Sequence, residues 1–222
     1  MINAVIFDMD GIIIDSEPFW KEAEIGIFNK LGVPLTPQMC ETTTGMRLID
    51  VSKLWYKEYP WDINKEPFEK VNNDIVEALI VSIKNRGTIN KGIIELLEFL
   101  RTKNILLALA SSSDKKIIDA VIDKFGIMKY FKVIHSAEFE KYGKPHPAIY
   151  LNTAEKLGTD PVNCLAIEDS FNGVLAAAAA RMKVAAIPDL YNFYNPKFNI
   201  ADVRYRKISE LTEEEFNKLN NL

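Results

Sequence analysis

Residues 4–7 are all apolar, and the run stops abruptly at Asp8. A short stretch that is apolar at every position and ends in acid is the pattern of a strand buried on both faces, its carboxyl end opening at a site. Similar runs recur at 105–110 before Ser111, at 132–137, at 164–167 before Glu168 and Asp169, and at 183–187 before Pro188. Between them, 92–103, 113–126, 147–158 and 172–182 carry apolar residues at helical spacing, two of them stopping at Gly126 and Gly158. Strands alternating with helices predict a parallel sheet covered on both sides through right-handed crossovers. Polar residues at the strand ends then gather at one edge of the sheet, where ligands bind in such folds.

The rhythm breaks once. From Ser16 to about Thr88 the pattern is almost entirely helical, over 17–31, 47–59 and 65–86, with breaks at Gly32-Val33-Pro34, Thr44-Gly45 and Pro60. The predicted fold class is therefore α/β: a Rossmann-like parallel-sheet core of residues 1–15 and 88–222 with a small helical cap domain, 16–87, inserted after the first strand. Ala176 to Ala180 read as a helix face packed closely on the sheet. Residues 189–222 read as a loop and a short closing helix.

Composition narrows the classes. With 48% hydrophobic and 26% charged residues, the 222-residue chain has the balance of an ordinary globular protein rather than a disordered one. A net charge of -4 and the absence of a Lys/Arg stripe argue against nucleic acid as a partner. Cys40 and Cys164 are far apart, no CxxC is present, and only His135 and His146 could complete a soft-metal site, so zinc is not expected. No basic leader and no membrane-length apolar run stand out. The expectation is a cytoplasmic protein with reduced thiols and no membrane partner, monomeric by default.

Asp8 and Asp10 lie two apart at a strand mouth, and carboxylates that close repel unless a cation or a shared proton relieves them. A hard divalent ion such as Mg2+ takes oxygen ligands and keeps positions open for a phosphate oxygen. Glu168 and Asp169, ending another strand, complete such a site. Ser111, and Lys144 just before a helix, are donors suited to phosphoryl oxygens. Gly11 lets the backbone approach a substrate closely. A nucleophilic carboxylate, a second carboxyl for proton transfer, a metal and two phosphate donors make a phosphoryl-transfer site working by aspartyl-phosphate.

The segments "DMDGIIIDS", "LALASSS", "GKPHPAIY" and "IEDSFNG" resemble, in order and spacing, the four motifs of the haloacid dehalogenase superfamily, and the resemblance spans essentially the whole chain. It implies that Asp8 is the phosphorylated nucleophile and that Asp10 protonates the leaving alcohol and then activates water. It implies Asp8 and Asp169 as carboxylate ligands of Mg2+, Asp10 as a ligand through its backbone carbonyl, and Glu168 beside them or behind them. Ser111 and Lys144 would bind the transferring phosphoryl group, with Ser112 and the backbone of Asp8, Met9 and Asp10 close by. "DSEPFWKEAE", "TTTGMRLIDVSKLWYKEYPW" and "NPKFNIADV" further resemble the bacterial 2-deoxyglucose-6-phosphate phosphatase branch, also described as hexitol or sugar phosphatases, so the implied substrate is a small phosphorylated sugar or sugar alcohol. The beta-phosphoglucomutases are the competing relatives. Their cap carries a histidine where this chain has Trp20, which favours hydrolysis, while Arg47 matches a mutase arginine that meets the non-reacting phosphate. Arg181 stands where relatives commonly have glycine, with only a local packing change expected.

Each residue also has a plainer reading. One Asp-x-Asp can be a solvated turn, Ser111 a helix cap, and Lys144 a surface lysine; position among the other motifs is what gives them weight. His146 reads as structural, because Asp10 already fills the role of base, and Asp15 as part of the hinge into the cap. Trp55, Tyr56 and Trp61 read as core, with Trp20 the aromatic expected at the site and Glu17 and Arg47 the polar cap residues expected to read sugar hydroxyls. Two other classes use similar residues: a receiver domain, which the helical insert and second aspartate weigh against, and a metal-dependent glycosyltransferase, which leaves Lys144 and Glu168-Asp169 unexplained.

Overall fold

The computed structural model describes residues 1–221. β1 (Ala4–Phe7) is fully buried and pairs on both edges, with β2 (Leu106–Ser111) on one side and β4 (Cys164–Glu168) on the other. β3 (Val133–Ser136), β5 (Lys183–Ala186) and β6 (Val203–Arg204) complete a six-stranded parallel sheet in the order β3-β2-β1-β4-β5-β6. A parallel sheet needs helices on both faces, and the alternation of side chains along each strand divides the core accordingly. Val5, Phe7, Leu165 and Ile167 pack with residues of α5 (Ile93–Thr102), α6 (Lys115–Phe125) and α9 (Glu213–Asn221). Ala4, Ile6, Ala108, Ala110 and Ala166 face α7 (Ala148–Leu157) and α8 (Phe171–Ala179). Alanine on both sides of that second layer lets α8 lie close to the sheet, with Ala176, Ala177 and Ala180 buried.

Between β1 and α5 the chain is helical: α1 (Glu17–Lys30), α2 (Pro37–Glu41), α3 (Leu48–Glu58) and α4 (Phe68–Arg86). Phe28, Val51, Trp55, Trp61, Val71, Ile75 and Leu79 are buried there, and Tyr56, Trp61 and Phe68 meet edge to face, so these aromatics pack inward as the pattern predicts.

Some elements differ from the pattern. α2 spans five residues, too few for periodicity to show, and is held by its Thr36 cap, whose hydroxyl accepts from the Met39 N–H at 3.3 Å. α4 starts three residues later than predicted because Pro67 is its cap and residues 62–66 form a turn. β6 has two residues and no apolar run to announce it. The closing helix begins at Glu213, while the predicted tail reaches Leu222, which lies outside the described residues. None of the helices described is long and apolar enough to cross a membrane.

β1 is the strand at which the connectivity reverses, since β2 and β3 lie on one side of it and β4 to β6 on the other. The crevice outside the carboxyl ends of β1, β2 and β4 is therefore where a ligand site belongs. Asp8, Ser111 and Glu168 stand at that edge.

Candidate active site

Asp8 follows the last residue of β1 and is 5% exposed. Lys144, equally buried, places its Nζ 2.5 Å from Asp8 Oδ1 and 2.5 Å from Glu168 Oε1. Glu168 is also gripped by its other neighbours. The Tyr150 hydroxyl donates to Oε1, and the Asp169 N–H (3.2 Å) and Ser170 hydroxyl (3.3 Å) donate to Oε2. Carboxylate oxygens of Asp8, Glu168 and Asp169 all lie within 4.8 Å of one another.

Local backbone chemistry makes this crowding feasible. Gly11 turns out of the strand at φ +76°, and a Cβ there would stand 2.1 Å from Asp169 Oδ2. At Gly173 a Cβ would meet Glu168 Oε1 at 1.9 Å, so the glutamate lies directly on the first turn of α8. Asn90 donates to the carbonyls of Gly11 (2.8 Å) and Ile12 (3.0 Å), holding the loop after β1.

Asp10 receives four donors: Ser16 Oγ (2.5 Å) and Trp20 Nε1 (2.9 Å) at Oδ1, Ser113 Oγ (2.6 Å) and Ser111 Oγ (3.3 Å) at Oδ2. Two come from the strand-to-helix entry and α1, two from the end of β2 and the loop after it. The helical segment and the sheet edge thus meet on one carboxylate. Ser112 adds a second link, donating to the Gly45 carbonyl at 2.8 Å.

Burial is the largest influence on Asp8. It pushes the carboxyl well above the usual range, Lys144 opposes the shift, and Glu168 and Asp10 add to it. Asp169 is raised by burial and then by its neighbours Asp8 and Glu168. For Lys144 burial works downward, but the two carboxylates it touches outweigh it and hold the ammonium above its ordinary value. The site therefore concentrates more negative charge than Lys144 alone balances. An all-oxygen donor set under mutual repulsion fits a hard divalent cation such as Mg2+.

The structure brings Asp8, Asp10, Ser111, Lys144, Glu168 and Asp169 together. Gly11, Trp20, Ser112 and Glu17 join Asp8, Asp10 and Asp169 around one cavity under α1 and α3. The Met9 side chain is buried in the core beneath β1's end, which leaves its backbone, as expected, to face the site. One predicted substrate-binding residue stands elsewhere. Arg47 points away from the cavity: its Nε pairs with Asp50 (2.7 Å) and its Nη1 donates to the Glu140 carbonyl (2.7 Å), with the side chain over Gly143. Its place before α3, beside the loop after β3, decides that direction. Asp15 and His146 are exposed, and His146 accepts from the Ala148 N–H. Sequence reasoning missed Ser16, Ser113 and Tyr150 as site residues. Ser113 had a signal, as the third hydroxyl of "SSS", whereas Tyr150 is indistinguishable from a core residue by helical spacing.

Residues 2–181 match the haloacid dehalogenase-like hydrolase family. The chain belongs to that family. Membership sets aside the receiver and glycosyltransferase readings. This haloacid dehalogenase-like hydrolase is 36% identical over 215 residues, 96% of each chain, to hexitol phosphatase B of Escherichia coli. It is 31% identical over 179 residues to the phosphorylated carbohydrates phosphatase of Thermotoga maritima, covering 81% of this chain and 82% of the relative. Among solved structures, a beta-phosphoglucomutase from Clostridium difficile superposes with a TM-score of 0.87 at 26% identity, over 100% of this chain and 98% of the other.

Proposed function

We propose that this hydrolase is a Mg2+-dependent phosphatase of small sugar or hexitol monophosphates, cytoplasmic and working through an aspartyl-phosphate on Asp8. The observation that carries the reading is the pairing of two differently held carboxyls at one strand end: Asp8 in the acidic cluster with Lys144, and Asp10 under four hydrogen-bond donors. Asp8 attacks phosphorus, the ester P–O bond breaks, and Asp10 gives its proton to the leaving alkoxide. Asp10 then takes a proton from water as that water attacks phosphorus, which returns the Asp8 carboxylate and releases phosphate. Lys144, Ser111, Ser112 and the backbone around Met9 hold the phosphoryl oxygens, Lys144 and Ser111 exchanging their present carboxylate partners for phosphate. Mg2+, held by Asp8, Asp169 and the Asp10 carbonyl with Glu168 behind them, would offset charge on the phosphoryl group and the attacking carboxylate. Residues 16–87 serve as the cap over a core of 1–15 and 88–222, excluding bulk water when closed.

The relatives' names favour sugar and hexitol phosphates over other esters. Two features favour hydrolysis over a mutase: Trp20 in the place of the mutase histidine, and Arg47 directed away from the Asp8–Asp10 cavity onto the loop after β3. The test is phosphate release from a panel of sugar, 2-deoxysugar and hexitol phosphates. Release that needs Mg2+, stops with EDTA and falls by about 10³-fold or more in Asp8→Asn supports the reading; release indifferent to both contradicts it.

A further inference from the structure

The cavity that holds Asp8 and Asp10 extends along α1 past the reacting groups. Glu17, Trp20, Lys21 and Glu24, spaced i, i+3, i+4 and i+7, line it on one face of that helix, opposite Cys40, Thr43, Leu48 and Val51. Trp20 marks the reacting end, since its indole N–H is on Asp10. Glu24 lies four residues farther, about 6 Å along the helix axis. It is 6% exposed. The facing group is the Cys40 thiol. Burial pushes this carboxyl up to about 7, the thiol only partly opposing. A carboxyl kept in such a place with only a thiol against it is costly, and the proposed reaction makes no use of it.

Cations are scarce at that end. Among the described residues lining the cavity, Lys21 is the only one, and it is already shared between Glu17 (2.8 Å) and Glu41 (3.2 Å). Arg47 is committed outside. A second phosphate would meet carboxyls there without a free counter-charge, whereas a hydroxyl finds a partner in Glu24 whether the carboxyl is ionised and accepts or is neutral and donates.

We infer that Glu24 is a specificity-determining residue of this site: it takes hydroxyls of the uncharged tail of a sugar or sugar-alcohol monophosphate and turns away substrates with a second phosphate. The inference rests on the phosphatase reading and adds the residue that selects among its substrates.

The experiment is steady-state kinetics with Mg2+ on a hexitol 6-phosphate, a hexose 1,6-bisphosphate and p-nitrophenyl phosphate, using wild type, Glu24→Gln and Glu24→Leu. Wild type is expected to favour the monophosphate over the bisphosphate about a hundredfold in kcat/KM. Glu24→Leu lowers the ratio of hexitol phosphate to p-nitrophenyl phosphate about tenfold or more, mainly through KM, because it removes the hydrogen-bonding group. Glu24→Gln narrows the monophosphate-to-bisphosphate ratio about tenfold. Both replacements are cheaper to bury than a carboxylate, and thermal melts check that they fold. Equal use of mono- and bisphosphate by wild type, or variants that change all three substrates in the same proportion, overturns the role of Glu24 alone. Hydrolysis of none of the three by wild type overturns the phosphatase reading and this inference with it.

Discussion

At Gly173 the absence of a side chain is a condition of the site, because Glu168 occupies the space a Cβ would take. Gly173→Ala is expected to displace Glu168 and, through it, Lys144, lowering kcat/KM about 10²-fold; activity within a few-fold of wild type would show that the glutamate is not held as described. Arg181 is the opposite case. It adopts φ +64°, left-handed backbone that suits glycine, at the end of α8 and on the surface. Arg181→Gly is expected to stabilise the protein by about 1 kcal/mol, visible as a higher Tm in thermal melts. Glu24 adds a pH-dependent term. Its folded-state carboxyl is raised to about 7, above the ordinary value near 4.5, so the stability of the neutral form is present at low pH and lost as pH rises through that window. Glu24→Gln avoids that loss: urea unfolding should show little difference at pH 4 and a gain on the order of 2–3 kcal/mol at pH 8.

At the scale of elements, α1 does two jobs. Its buried side, with Ala23 and Phe28, packs into the core, while Trp20 extends an N–H to Asp10. Trp20→Phe keeps most of the apolar surface and removes the donor, so kcat is expected to fall about tenfold with stability nearly unchanged; a matching drop in Tm would mean that Trp20 is chiefly packing. The strands and long helices were legible because apolar runs and helical spacing persist over enough residues to show. α2 and β6 were not, since five and two residues hold no period. Within the site, Asp8, Asp10, Glu168 and Asp169 were legible as acids at strand ends. The direction of Arg47 was not, because it depends on where the loop after β3 places the Glu140 carbonyl, ninety-odd positions away in the chain. Tyr150 was hidden for a similar reason: only the fold shows that the hydroxyl of an apparently apolar helix residue ends on Glu168.

For the whole molecule, the sheet order explains why these groups converge. β1 is flanked by β2 and β4, so the ends of three parallel strands deliver Asp8, a hydroxyl and an acidic pair to one crevice. The same convergence leaves buried Asp8 and half-buried Asp169 mutually repelling. A cation that binds only the folded state relieves them, and at about a hundred times its Kd adds about 2.7 kcal/mol of stability. Mg2+ is therefore expected to raise Tm, more at pH 8 than at pH 5, where protons compete for the same carboxylates. Asp169→Asn should abolish most of that rise. A Tm indifferent to Mg2+ at both pH values would count against the acidic cluster as the metal site.

In the proposed reaction Asp8 carries the phosphoryl group and Asp10 governs its release. The most direct measurement mixes Asp10→Asn with a hexitol phosphate and Mg2+, quenches in acid and maps the modified peptide by mass spectrometry. A phosphoryl group is expected on Asp8, formed slowly and persisting because no carboxyl at position ten activates water. A wild-type enzyme that releases phosphate while no adduct on Asp8 can be trapped, in either wild type or the variant, would contradict it.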